Sequence, residues 1–83
     1  MQILYFALLR ERIGKSAERL DLPADVRTIG DLARFLSTRG EGYAAAFADL
    51  SRLRAARDQV HASFETEIDG AAEIAFFPPV TGG

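Results

Sequence analysis

The chain has 83 residues, 48% of them apolar and 27% charged, with ten Lys and Arg against twelve Asp and Glu and no cysteine. That length gives one small domain, without room for a deep substrate pocket and a catalytic apparatus of its own, so a freestanding enzyme is not expected. The missing cysteines remove disulfides, thiolate metal sites and any sulfur carried on a side chain, and a net charge of −2 argues against nucleic acid or any partner chosen by phosphate electrostatics.

Residues 2–9 (QILYFALL) are apolar at both parities, which predicts a strand buried on both faces at the centre of a sheet. No basic stretch precedes this run and no small-residue cleavage site follows it, so it does not read as a signal peptide. It and the later run Ile74–Val80 fall far short of the ~20 residues of a membrane helix, and the expectation is a soluble, cytoplasmic chain without a membrane partner. The polar stretch Arg10–Ser16, flexible at Gly14, leads to Ala17–Leu22, where Leu20 and Leu22 alternate with charges. That pattern predicts a half-exposed second strand completing a hairpin, closed by Pro23 because a missing N–H cannot extend a ladder.

Thr28 followed three residues later by Asp31 marks a helix start. Ile29, Leu32, Ala33 and Leu36 then fall at i, i+3, i+4 and i+7, with Phe35 flanking the stripe, and Gly40 stands where a left-handed residue would end the helix. Tyr43, Phe47 and Leu50 suggest a second, shorter helix over the open edge of the core. Residues 53–57 and 60–64 are strand candidates joined through Asp58-Gln59. Asp69-Gly70 signals a turn, and Glu73–Phe77 is a last buried strand that Pro78-Pro79 terminates. This order has one favoured packing, an α+β mixed sheet curled over one main helix with the first and last strands adjacent, parallel and central. That is the β-grasp, or ubiquitin-like, arrangement. It divides the chain into a folded body, residues 1–79, and an extended tail, residues 80–83.

Few side chains suggest chemistry. His61, the only histidine, reads as a strand residue facing solvent, since no partner set for a base or a metal gathers around it in the sequence. Gly40-Glu41-Gly42 lacks the preceding strand and following lysine of a phosphate loop, and helix termination accounts for it. Arg52, Arg54 and Arg57 form a basic cluster that reads first as a solvated strand face, with docking of an acidic partner, alongside Arg10 or Arg12, as the alternative. Ser51, Ser63, Glu65, Glu67 and Asp69 show neither triad nor metal spacing, so no metal is expected.

The end of the chain is different. Pro78-Pro79 impose an extended course, and Thr81-Gly82-Gly83 then narrow it to a tip without side-chain bulk. Glycine lets a backbone enter a channel too narrow for a Cβ and brings the terminal carboxylate close to groups deep inside another protein. That carboxylate is ionised at neutral pH and resists nucleophilic attack until activated. The expected route is that adenylation by ATP would supply AMP as a leaving group, which a sulfur donor would displace to leave a thiocarboxylate at Gly83. In a chain without cysteine, that is where sulfur would ride.

The stretch Glu73-Ile74-Ala75-Phe76-Phe77-Pro78-Pro79-Val80-Thr81-Gly82-Gly83 closely resembles the C-terminus of the small subunits of molybdopterin synthase, the MoaD family, and Ile3–Ala7 with Arg10-Glu11 resembles that family's first strand and following turn. The resemblance implies a ubiquitin-like sulfur carrier of molybdenum cofactor biosynthesis. Gly83 would be the reacting residue, adenylated by an E1-like adenylyltransferase that uses ATP and converted to thiocarboxylate by a sulfur-transfer enzyme. The tail would then enter the large synthase subunit and donate sulfur to cyclic pyranopterin monophosphate to form the dithiolene. Catalytic residues would lie on that subunit, no cofactor would be bound by this chain, and the assembly would be a heterotetramer. Phe76, Phe77, Pro78, Pro79, Val80, Thr81 and Gly82 would form the partner-binding segment, one phenylalanine packing in the core and the other on an apolar interface, with a core role for both as the alternative. Two stretches depart from the family pattern: Asp69-Gly70-Ala71-Ala72-Glu73 is one residue longer and lacks a second acid, and Arg57-Asp58-Gln59 replaces Val-Asn-Gln. Sulfur carriers of thiamine or tRNA-thiolation pathways, protein modifiers, and interaction domains without carrier activity share the fold and remain the alternatives.

Overall fold

Residues 1–79, which the computed structural model describes, form β1 (Gln2–Tyr5), α1 (Leu8–Ile13), β2 (Ala17–Arg19), α2 (Ile29–Ser37), α3 (Glu41–Ala46), a 3-10 turn (Leu50–Arg52), β3 (Arg54–Arg57), β4 (Val60–Ala62) and β5 (Glu73–Phe77). The strands make one sheet in the order β2-β1-β5-β3-β4. β1 and β5 are central and parallel, pairing Ile3 with Ile74 and Tyr5 with Phe76, while β2 flanks β1 and β3 flanks β5, both antiparallel. This is the β-grasp arrangement that the sequence predicts.

α2 begins as its sequence requires. Thr28 Oγ1 accepts the Asp31 amide at 3.0 Å, and Asp31 Oδ2 accepts the Thr28 and Arg27 amides at 3.2 and 3.1 Å, so each residue satisfies free donors of the other's turn. These bonds, with the Arg34 guanidinium at 2.8 Å, hold the Asp31 carboxyl below its usual range. Ile29, Leu32, Ala33 and Leu36 are wholly buried against Ile3, Tyr5, Ile74 and Phe76 of the central strands. Phe47 completes the core, its ring edge-on to Phe76 at 5.0 Å.

Three expectations are corrected. Burial on both faces of the central strands gives way to one covered face: Ile3 and Tyr5 are buried while Gln2 and Leu4 are half-buried. Ala75 is shielded on the open face only because it is small and lies between its cross-strand neighbours Leu4 and Ala56. Secondly, the first strand stops at Tyr5 and the polar stretch 10–16 is not a simple loop, because Phe6–Leu9 turns sharply, with Leu9 N donating to Phe6 O at 3.2 Å and Ala7 at φ 54°, ψ −126°. The turn opens α1, which buries Leu9, half-buries Ile13 and ends at Gly14 in the left-handed conformation. β2 is accordingly short; past it Leu20 still exchanges backbone hydrogen bonds with Met1, donating to Met1 O at 2.9 Å and accepting from Met1 N at 3.1 Å, while Leu22 lies beyond the pairing. Thirdly, Gly40 does not terminate α2, which ends at Thr38, but stands immediately before α3. Of the predicted second helix only Tyr43 lies in α3; Phe47 caps its end and Leu50 falls in the 3-10 turn.

Candidate functional site

β5 is the stem from which the C-terminal segment leaves. Hydrogen-bonded on both sides, to β1 and to β3, it is the central strand of the sheet, and Phe6 N donates to Phe76 O at 3.2 Å beyond the β1 ladder. Its alternation sends Ile74 and Phe76 into the core and Phe77 to the open face. Phe76 therefore has no exposed surface and is the phenylalanine of the pair that packs in the core. Removing such a ring costs about 3–5 kcal/mol through the core alone. Phe77 is half-buried and meets the His61 ring edge-on at 5.3 Å. With Leu4, Ala75 and Ala56 it gives the open face an apolar strip. Pro78 and Pro79 follow, both half-buried, and Val80, Thr81, Gly82 and Gly83 lie outside the described residues.

The arginines do not act as one cluster. Arg57 lies on the helix side of β3, opposite Ile74, and reaches across the sheet's end to donate to the carbonyls of Glu67 at 3.1 Å and Asp69 at 2.7 Å. Beside it, Asp58 Oδ1 accepts the amides of Ala72 and Glu73, each at 2.9 Å. The two stretches that depart from the family pattern thus meet in space, and Arg57-Asp58 fastens the longer turn at 69–73. Arg54 donates to the backbone carbonyls of Ser51 and Leu53. Arg52 and Arg12 instead line a groove of about 550 Å³ together with Pro78.

Ser51 is bound to Asp49, and Ser63 lies near the Thr66 hydroxyl. Neither contacts a histidine, so no triad forms. Among the described residues no group of three His, Asp or Glu side chains is placed to hold a metal, and no helix is long and apolar enough to cross a membrane. His61 is exposed on an edge strand, as its position predicts.

Glu18 was not singled out by the sequence. Its carboxylate accepts hydrogen bonds from Tyr43 at 2.6 Å and Tyr5 at 2.7 Å, with Lys15 at 3.4 Å and Arg39 at 3.7 Å. Partial burial opposes its charge, yet the tyrosine hydroxyls and the Lys15 ammonium hold the carboxyl below its ordinary range. Burial, reinforced by this carboxylate, pushes the Tyr5 hydroxyl well above its ordinary range, and Glu18 raises Lys15 in turn. The node ties β2 to β1 and α3. The one signal for it was parity, since Glu18 shares the inward phase of Leu20 and Leu22.

The chain's own geometry thus supplies a rigid stem, an apolar strip beside it and no catalytic constellation among the described residues. The family model described as the ThiS family matches residues 3–83, through the final glycine. The chain belongs to the ThiS family. Two curated relatives of this ThiS-family chain, from Escherichia coli (strain K12) and Haemophilus influenzae, are each named molybdopterin synthase sulfur carrier subunit. Each is 36% identical over 83 residues, a match that covers 100% of this chain and 99% of the relative. The crystal structure of SAMP1 from Haloferax volcanii superposes with a TM-score of 0.66 at 25% identity, covering 100% of this chain and 98% of that one.

Proposed function

We propose that the chain is the sulfur carrier subunit of molybdopterin synthase, with residues 1–79 as the carrier body and residues 80–83 as the part that enters its partners. The observation that carries this reading is the full-length likeness to two sulfur carrier subunits, unbroken through the Gly82-Gly83 end, on a fold whose last strand is held from both sides. An E1-like adenylyltransferase transfers AMP from ATP to the Gly83 carboxylate with release of pyrophosphate. Sulfide delivered by a sulfur-transfer enzyme displaces AMP, and the acyl carbon keeps the sulfur as a thiocarboxylate. Inserted into the large synthase subunit, two charged carriers in succession transfer sulfur to cyclic pyranopterin monophosphate, leaving a free carboxylate each time. The carrier acts in the cytoplasm, binds no metal or cofactor, and contributes no acid or base.

The test is reconstitution. After incubation with the activating enzyme, ATP and a sulfur donor, intact-mass analysis is expected to show one oxygen replaced by sulfur, located at Gly83 by fragmentation. The charged chain is then expected to convert the pyranopterin to molybdopterin in the presence of the large subunit. An unmodified Gly83 overturns the carrier reading. Charging without molybdopterin formation transfers the chain to another pathway or to protein modification, a reading supported by its likeness to the structure titled H. volcanii small archaeal modifier protein 1.

A further inference from the structure

Successive peptide groups of a strand point to opposite neighbours, so each amide of β5 is addressed to one side of the sheet. Gln2 N donates to Ala72 O at 3.3 Å and Phe6 N to Phe76 O at 3.2 Å on the β1 side, and Asp58 N donates to Glu73 O at 2.9 Å on the β3 side. Even-numbered residues of β5 therefore bond β1, and odd-numbered ones bond β3. Carried past Phe77, the parallel register calls for residue 78 to donate to Phe6 O. The antiparallel register, which pairs Arg54 with Phe77, calls for residue 79 to donate to Arg52 O. Both residues are proline, and each ring removes the N–H that its side of the sheet would take next. The facing groups are engaged locally. Phe6 O accepts Leu9 N at 3.2 Å in the turn that opens α1, and Arg52 N, which the next antiparallel pair would aim at Pro79 O, goes to Asp49 O at 3.1 Å in the 3-10 turn. On the β1 side the chain then veers off at Ala7, whose φ is 54°.

We propose that Pro78 and Pro79 are a two-sided stop, a pair of positioning residues that release the chain from the sheet so that its Gly82-Gly83 end can enter a partner's active centre. The proposal rests on the reading that Gly83 is the reacting residue. Parity explains why there are two prolines and why they are adjacent. A lone proline at 78 would leave residue 79 able to donate to β3, and a lone proline at 79 would leave residue 78 able to donate to β1. The Leu9 amide does not close the β1 side by itself, since the Phe6 carbonyl oxygen has two lone pairs and Leu9 takes one. The restricted φ of consecutive prolines also keeps the released stem extended, so freedom from the sheet is gained without slack. An end held by ladder bonds must break them before insertion, and its apparent affinity for any enzyme acting on Gly83 falls with the fraction that is unpaired.

The variants Pro78→Ala and Pro79→Ala each create the amide that reports the result. By NMR, the new amide of Pro78→Ala is expected to lie against Phe6 and Ala7, and that of Pro79→Ala against Arg52 and Leu53. Each should exchange with solvent about fivefold or more slowly than an unstructured amide, as one net hydrogen bond gives. In ATP–pyrophosphate exchange by the adenylating enzyme, each variant is expected to raise the KM for the carrier about fivefold and leave kcat in place. The thermal midpoint stays within about 4 °C of wild type, because the restored bond offsets the freedom returned to the unfolded chain. A semisynthetic chain with lactic acid at position 78 puts an ester oxygen where alanine has its N–H. It shares the looseness of Pro78→Ala without the donor and is expected to keep the wild-type KM. New amides that exchange as freely as an unstructured chain, or an ester chain whose KM rises as far as that of Pro78→Ala, overturn the two-sided stop. Protected amides with an unchanged KM overturn its role in freeing the reacting end. Failure of the wild type to be adenylated overturns the carrier reading instead, and the NMR arm, which needs no partner, still decides whether the prolines stop the sheet.

Discussion

One carboxylate, that of Glu18, receives two tyrosine hydroxyls and lies near a lysine and an arginine, so the charge of a single residue joins three elements. Its pH behaviour follows from the direction of its shift. The folded state holds the carboxyl below its ordinary value of 4.5, so the unfolded chain takes up the proton first as pH falls. The stabilisation is fully present above that value and is lost as pH drops through the lower, folded-state one. Glu18→Gln keeps one carbonyl oxygen but removes the charge, and is expected to cost about 1–2 kcal/mol at neutral pH. Thermal unfolding of both proteins across pH 3–8 checks this: the gap between them should be constant above 4.5 and close below it. A gap independent of pH would assign the loss to packing. The strand pattern revealed that Glu18 points inward, but not what it meets, because Tyr5 and Tyr43 lie 13 and 25 residues away along the chain.

At the level of elements, local chemistry was legible and non-local fit was not. α2 announced itself through Thr28 and Asp31, a cap that needs only four consecutive residues. α1 was hidden because the turn that opens it places Ala7 at positive φ, where a glycine would have signalled it. The β3–β4 hairpin likewise sets Asp58 and Gln59 at φ 49° and 71°, a two-residue turn of which the sequence showed only the position. The packing of α1 on α3 depends on Gly42, where a Cβ would collide with the Arg12 carbonyl oxygen. In the sequence the same glycine belonged to a Gly-Glu-Gly run attributed to helix termination; its use is close approach between two backbones. Gly42→Ala must separate them, and because both contacting atoms are main chain no rotamer change relieves the overlap. The expected cost is about 1–3 kcal/mol, read as a lower urea midpoint with an unchanged slope. Gly14→Ala differs: it leaves open space around the Cβ and strains only φ 88°. A Gly42→Ala chain as stable as wild type would mean that α1 is free to shift.

Across the whole molecule, the parallel pairing of β1 with β5 was legible for a partly mistaken reason. Both runs lack alternation, which reads as burial on two faces, whereas one face is covered and the other is kept apolar by Leu4, Ala75, Ala56 and Phe77. Apolar residues on an uncovered sheet face imitate a core strand in the sequence, since composition does not distinguish a buried contact from one awaiting a partner. The candidate site was legible only at its end, in Pro78-Pro79 and the glycines; the groove beside Pro78 was not, because its lining residues, Leu8 and Arg12 of α1 and Arg52 of the 3-10 turn among them, come together only after these elements fold. This architecture separates folding from chemistry. The described core is complete at Phe76, and nothing it contains follows Pro78. Truncation after Pro79 is therefore expected to leave the thermal midpoint within about 2 °C of wild type while abolishing adenylation and sulfur transfer. Phe76→Ala should do the reverse, lowering stability by about 3–5 kcal/mol while the fraction that remains folded still accepts AMP at Gly83. Calorimetry beside the exchange assay separates the two. A truncated chain that loses stability as well would show that residues 80–83 contribute to the body, and stem and tip would then not be independent parts.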